Sequence, residues 1–206
     1  MGASPLTLFS EAIERTAGAL QFAFSQDAAT QRLDLTEAGI SRSFLALIVS
    51  GLFTAVLYYT FWQVAPSAET AIENPLLELD HLPFVALNTL GYFLAYGIGL
   101  GILVGFARRF GQHDRIPLII TATNWSEVSL QICFFLVIAG WALSNNLMTP
   151  QFLSVPGFAF IIAMRWRLVA RFFNRDGLTT VLILLFVLVA QVTLPSLFKL
   201  AVLGLT

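Results

Sequence analysis

The stretch from Leu178 to Leu197 is almost wholly aliphatic, with Gln191 as its one strongly polar interior residue. A helix of that length spans about 30 Å, the thickness of a bilayer's hydrocarbon core. Comparable apolar runs occupy roughly 43–64, 83–107 and 152–172, and a longer one fills 116–143. So many long runs cannot all hide inside one small aqueous core. Residues are 57% hydrophobic and 11% charged, with a mean hydropathy of +0.80, whereas soluble domains carry about 25% charged residues. The expected class is therefore all-α: a polytopic membrane protein of five transmembrane helices plus an N-terminal amphipathic helix.

The run 116–143 would be about 42 Å long as one straight helix, more than a bilayer core needs. It is expected to divide at Asn124-Trp125 into an interfacial entry segment (116–123) and a span proper (125–143), with Trp125 and Trp141 as belts. Asp34-Leu-Thr-Glu37 reads as a capping box with Asp34 as N-cap. The helix it starts should run directly into the first span, which ends in the interfacial aromatics Tyr58, Tyr59 and Trp62.

Residues 1–42 form the cytoplasmic segment in this scheme, and 43–206 the membrane domain. Leu6, Phe9, Ile13, Ala17, Leu20 and Phe24 recur at helical steps and predict an amphipathic helix over 5–25. Its apolar face suits either the lipid plane or packing on the bundle. The first 40 residues lack a basic start followed by a pure apolar block, so no cleavable leader is expected.

Ten of the 11 Lys and Arg residues fall before the first run, between the second and third, or between the fourth and fifth. Only Lys199 lies at the other end. The positive-inside rule then predicts a cytoplasmic N-terminus and an external C-terminus, in what reads as a bacterial inner membrane. The acidic segment 65–82 would be external.

Polar residues interrupt the third run at helical spacing. Thr123, Glu127 and Gln131 are four apart, and Asn124 precedes Glu127 by three, so they share a face. Glu127 is the only acidic residue inside any apolar run, and a carboxylate in hydrocarbon needs shallow placement, a partner or a proton. Arg165 sits two residues before Arg167, about 200° round a helix from it. It therefore points away from the basic stripe Arg167, Arg171 and Arg175, which suits anionic lipid headgroups. Glu127 thus has three readings: solvated at the inner interface, paired with Arg165, or handling a proton or ligand. In the second run Gly97, Gly101 and Gly105 make a flat face for helix packing within the subunit, for a second copy, or for a lipid tail.

The motifs exclude several activities. No phosphate-binding glycine loop, paired intramembrane carboxylates or His-Glu-x-x-His appears. His81 and His113 lie far apart and outside the runs, and Cys133 is the single cysteine. No catalytic residues, metal, cofactor or nucleic-acid partner is expected; the expected partners are membrane lipid and a protein partner or a second copy. The leading reading is a non-catalytic scaffold, assembly or membrane-organising factor. The alternatives are a small transporter or channel component using Glu127, Asn88, Asn124, Gln131 and Gln191, and a lipid-binding subunit of a larger complex.

The order of parts, the Asn124-Trp125 step opening the third span, and Gly39 with Ser43-Phe44 entering the first resemble bacterial Yip-type (Rab-interacting-protein-like) membrane proteins over roughly residues 35–200. The resemblance implies a five-span scaffold without assigned catalytic residues. The Asp-Leu-Tyr-Gly-Pro signature of the eukaryotic branch is absent, so Rab binding is not carried over.

Overall fold

The computed structural model describes residues 5–24, 27–64, 79–144 and 148–204, with side chains described except in 5–9, 27–29, 64 and 137–154. The acidic segment 65–78, residues 145–147, the Trp141 side chain and those at the start of the fourth run lie outside the described set.

Among the described residues six α-helices follow one another: α1 (Pro5–Phe24), α2 (Glu37–Val64), α3 (His81–Arg109), α4 (Ile116–Ser144), α5 (Met148–Phe173) and α6 (Gly177–Leu203), with short 3-10 turns at Asp27–Arg32 and His113–Arg115. Among the described residues there is no strand.

Three helices, rather than the five expected, are long and apolar enough to cross a membrane among the described residues: Glu37–Gln63, His81–Arg109 and Gly177–Leu203. They make the chain compatible with membrane residence. The remaining two are long enough, at 29 residues for α4 and 26 for α5. Side chains 137–144 of α4 and 148–154 of α5 lie outside the described set and so outside that count. In the described parts Thr121 to Gln131 interrupt α4, and Arg165, Arg167 and Arg171 occupy the C-terminal half of α5.

The helix starts and stops have local causes. At the start of α2 the cap is shifted from the expected place. Thr36 is the N-cap, its hydroxyl accepting from the Gly39 N–H at 3.1 Å. Asp34 stands outside the helix and accepts from the Thr36 N–H (3.1 Å) and hydroxyl (2.6 Å). It also pairs with Arg42 at 2.7 Å. These hydrogen bonds from Thr36, helped by Arg42, hold the Asp34 carboxyl below its ordinary value. A carboxylate lowered in this way stabilises the fold above its unfolded pKa. That contribution is lost as pH falls through the folded value, so Asp34→Asn should flatten the acid limb of a stability-versus-pH curve below about pH 4. Thr36→Ala should cost about 0.5–2 kcal/mol of thermal stability in detergent. Asp176 caps α6 in the ordinary way, accepting from the Thr179 N–H at 3.1 Å and hydroxyl at 2.7 Å.

Helix α4 runs unbroken through Asn124-Trp125, contrary to the expected division. Pro117 lies in the first turn, where a missing N–H has no helical partner to lose. The Asn124 side chain bonds to neighbouring helices, as described below, and does not compete for its own backbone.

Helix α4 is the hub of the fold, packing against α1, α2, α3 and α5, while α3 packs extensively on α6. At one end of the bundle Arg115 donates to the carbonyls of Arg171 (3.1 Å) and Phe172 (3.0 Å), and Gln112 donates to that of Phe173 (3.1 Å). The α3–α4 connection thereby satisfies the open C-terminal carbonyls of α5. Two members of the basic stripe rest on aromatic rings at this end, Arg171 5.6 Å from the centre of Phe22 and Arg175 4.7 Å from that of Phe110. Arg167 is exposed. At the other end Tyr58 and Phe61 meet Phe84, and Tyr59 and Trp62 meet His81, so the aromatics ending α2 pack on the start of α3.

Helix α1 lies against α4 and α5. The face it buries is Ala19, Phe22 and Ala23, and Ile13 of the expected stripe is 57% exposed. Phe22 stacks on Phe172 at 6.0 Å between ring centres. Small residues allow the close approach that makes this the packed face, whereas a pattern of large apolar residues pointed elsewhere.

Candidate functional site

The polar residues of α4 sit inside the bundle. Asn124 is fully buried and Glu127 is 3% exposed. Glu127 lies 11 residues into α4, about 16 Å from its start. The reading in which it reaches solvent at the interface is therefore replaced by burial and pairing.

Arg165 of α5 donates to Glu127 Oε1 at 3.0 Å through one guanidinium nitrogen, and to Gln191 Oε1 of α6 at 2.7 Å through another. The Tyr92 hydroxyl of α3 faces the other carboxylate oxygen at 3.5 Å. One helical turn further along α3, the Tyr96 hydroxyl donates to Asn124 Oδ1. The Asn124 amide donates to the Ser43 hydroxyl of α2 at 2.7 Å, and that hydroxyl donates to the Ile40 carbonyl at 2.6 Å. Glu127 and Asn124 are three apart on α4, and Tyr92 and Tyr96 are four apart on α3, so each pair shares a face. Two adjacent hydrogen-bonded sets, one turn apart, thus together form a polar network that touches every helix from α2 to α6.

Of the expected cluster, Asn124, Glu127 and Arg165 carry the network. Gln131 is buried beside Tyr92. The Thr123 hydroxyl is buried without a hydrogen-bond partner. It lines a cavity of about 30 Å³ together with Ser126, Glu127 and Arg165. That is room for about one water, which needs a polar site with partners of this kind. Sequence spacing does not reveal Ser43, Tyr92 and Tyr96 as members. Two tyrosines four apart, well inside an apolar run and away from the interfaces that tyrosine favours, are the signal that could have found them.

The glycines also differ from expectation. Among the described residues a Cβ added at Gly97, Gly101 or Gly105 would meet nothing within 4 Å, so these glycines form no packing contact there. The close approaches between α-helices are at Gly99, where a Cβ would overlap the Gln191 side chain, at Gly91 against Lys199, and at Gly51 against Phe93. Helix α3 turns Gly99 toward α6, and the stripe points away. Gly99→Ala should displace Gln191 from Arg165 and lower the unfolding temperature, whereas Gly101→Ala should not; thermal scans of the two variants compare them directly.

A second, part-buried contact lies toward the far end. Lys199 of α6 donates to Asn88 Oδ1 of α3 at 2.7 Å, and its ammonium is 5.9 Å from the centre of the Tyr58 ring. Asn88 in turn donates to the Phe84 carbonyl at 2.8 Å. Lys199 therefore reaches back into the bundle rather than only marking the interface.

Comparison with family models, with curated proteins and with solved structures finds no match. The functional reading therefore rests on the geometry above.

Proposed function

We propose that this chain is a non-catalytic integral membrane protein, a scaffold or assembly factor whose five helices α2–α6 all cross the bilayer. The observation that carries the reading is the mutual engagement of the intramembrane polar groups. Glu127 is held by Arg165, Arg165 by Gln191, and Asn124 by Tyr96 and Ser43. Paired polar groups remove the obstacle to placing α4 and α5 in hydrocarbon, because a paired charge facing the bundle interior is tolerated where a lone one is not. The Yip-type resemblance fits the same reading. The unpartnered glycine face of α3 and the Arg167, Arg171 and Arg175 stripe are then the surfaces offered to a partner helix and to anionic headgroups.

In this arrangement the N-terminus is cytoplasmic and the membrane is a bacterial inner membrane. Reporter fusions check it: a reporter active only in the periplasm should be silent after residue 112, and activity there contradicts the topology.

The scaffold reading predicts a defined protein partner in mild detergent and no solute flux in liposomes. Mass spectrometry of the native complex and flux assays on the purified chain measure both. The transporter alternative draws support from the small cavity at Glu127, where Thr123, Ser126, Glu127 and Arg165 stand among mostly apolar walls. It predicts substrate-dependent flux that Glu127→Gln abolishes, and that result would overturn the scaffold reading.

A further inference from the structure

A second cavity, of about 310 Å³, lies between α1, α2 and α4. Its size is at the low end of the range that holds an organic ligand. The walls are apolar: Ala12 of α1, Leu45, Ala46, Ile48 and Val49 of α2, and Trp125 of α4. Its two charged lining residues are Glu11 and Arg42. Leu45, Ile48 and Val49 are also exposed on the outer face of α2, a helix apolar enough to cross a membrane. The cavity thus has one wall on the exposed apolar face of α2, the face a bilayer would cover, and its charged groups lie beside the first turns of that helix.

The charges there are balanced and unevenly paired. Arg42 binds Asp34 tightly at 2.7 Å, but its other terminal nitrogen meets Glu11 only at 3.3 and 3.5 Å. Arg15 approaches Glu11 at 3.7 Å. A charge-assisted N–H···O bond is normally about 2.7–2.9 Å. Glu11 and one arm of Arg42 therefore retain capacity for stronger partners, one cationic and one anionic. A ligand carrying both signs on adjacent groups, attached to an acyl chain, matches this end and these walls together.

We infer that the cavity binds one acyl chain of a phosphoethanolamine lipid, with the phosphate on Arg42 and the primary ammonium on Glu11. A choline headgroup cannot donate hydrogen bonds to the Glu11 carboxylate. A glycerol headgroup brings no cation. The site requires only that the chain resides in a bilayer, so it stands whether the bundle scaffolds or transports.

The test uses the full chain in nanodiscs of equal parts phosphatidylethanolamine, phosphatidylcholine and phosphatidylglycerol, followed by native mass spectrometry of the retained lipid. The wild type should retain one phosphatidylethanolamine per chain, enriched about tenfold over each competitor, as one charge-assisted hydrogen bond allows. Glu11→Gln should bring the ethanolamine preference to parity with choline while lipid is still retained. Val49→Trp, which fills the cavity, should abolish retention. Equal retention of all three lipids by the wild type, no retained lipid, or an undiminished preference in Glu11→Gln would each overturn the site. If Val49→Trp does not fold, the wild type and Glu11→Gln decide the matter.

Discussion

Glu127→Gln and Arg165→Gln should each lower the stability of the bundle by about 3–5 kcal/mol, measured by unfolding in detergent micelles, because either change leaves a buried charge without its counterion. The two are not expected to be equal. Removing the Glu127 charge leaves the Arg165 guanidinium still bonded to Gln191 at 2.7 Å and 22% exposed, whereas removing the Arg165 charge strands a carboxylate that is 5% exposed. Arg165→Gln should therefore be the worse of the two. The double variant should lose less than the sum, since the second change removes the group that the first left unpaired.

The second large effect is expected at Asn124. Its side chain accepts from Tyr96 and donates to Ser43, linking α2, α3 and α4 within the fully buried interior. Asn124→Leu removes both bonds and leaves a tyrosine hydroxyl without its acceptor, at about 1–3 kcal/mol for each buried group left unpaired. Tyr96→Phe deletes the donor and leaves Asn124 its bond to Ser43, so it should cost less. Unfolding of Asn124→Leu, Tyr96→Phe and the double variant measures the coupling. Complete additivity would show that the Tyr96–Asn124 contact contributes nothing.

Much of this arrangement is legible in the sequence. The long apolar runs indicate membrane helices, and the i, i+3 spacing of Asn124 and Glu127 places them on one face of α4. The offset of Arg165 from Arg167 turns it away from the basic stripe and toward Glu127. These are properties of single helices, fixed by a period of 3.6 residues. What is not legible depends on which helix lies beside which. Gln191 stands out as a lone polar residue in α6, but its partner Arg165 is known only once α5 and α6 meet. The same is true of Lys199 and Asn88, joined because α6 packs on α3.

The glycine pattern misleads for a related reason. Gly97, Gly101 and Gly105 have the regular spacing of a packing face, yet the contacts with α6 are made by Gly91 and Gly99, which with Ala95 between them form a second small-residue series at the same spacing. Spacing identifies a flat face but not the direction in which tertiary contacts rotate it. In α4 the length of the run suggested a break that the continuous helix does not have. That break would have placed Glu127 nearer water than it is, and burial inside the bundle makes the pairing with Arg165 necessary.

The central claim is that Glu127 and Arg165 form a structural pair. Its most direct measurement is the unfolding free energy of Glu127→Leu/Arg165→Met beside the two corresponding single variants. Apolar replacement of a complete buried ion pair is often neutral or stabilising, whereas removal of one member is strongly destabilising. The double variant should accordingly be closer to wild type than either single variant. A double variant as unstable as the two single changes added together would contradict the pairing.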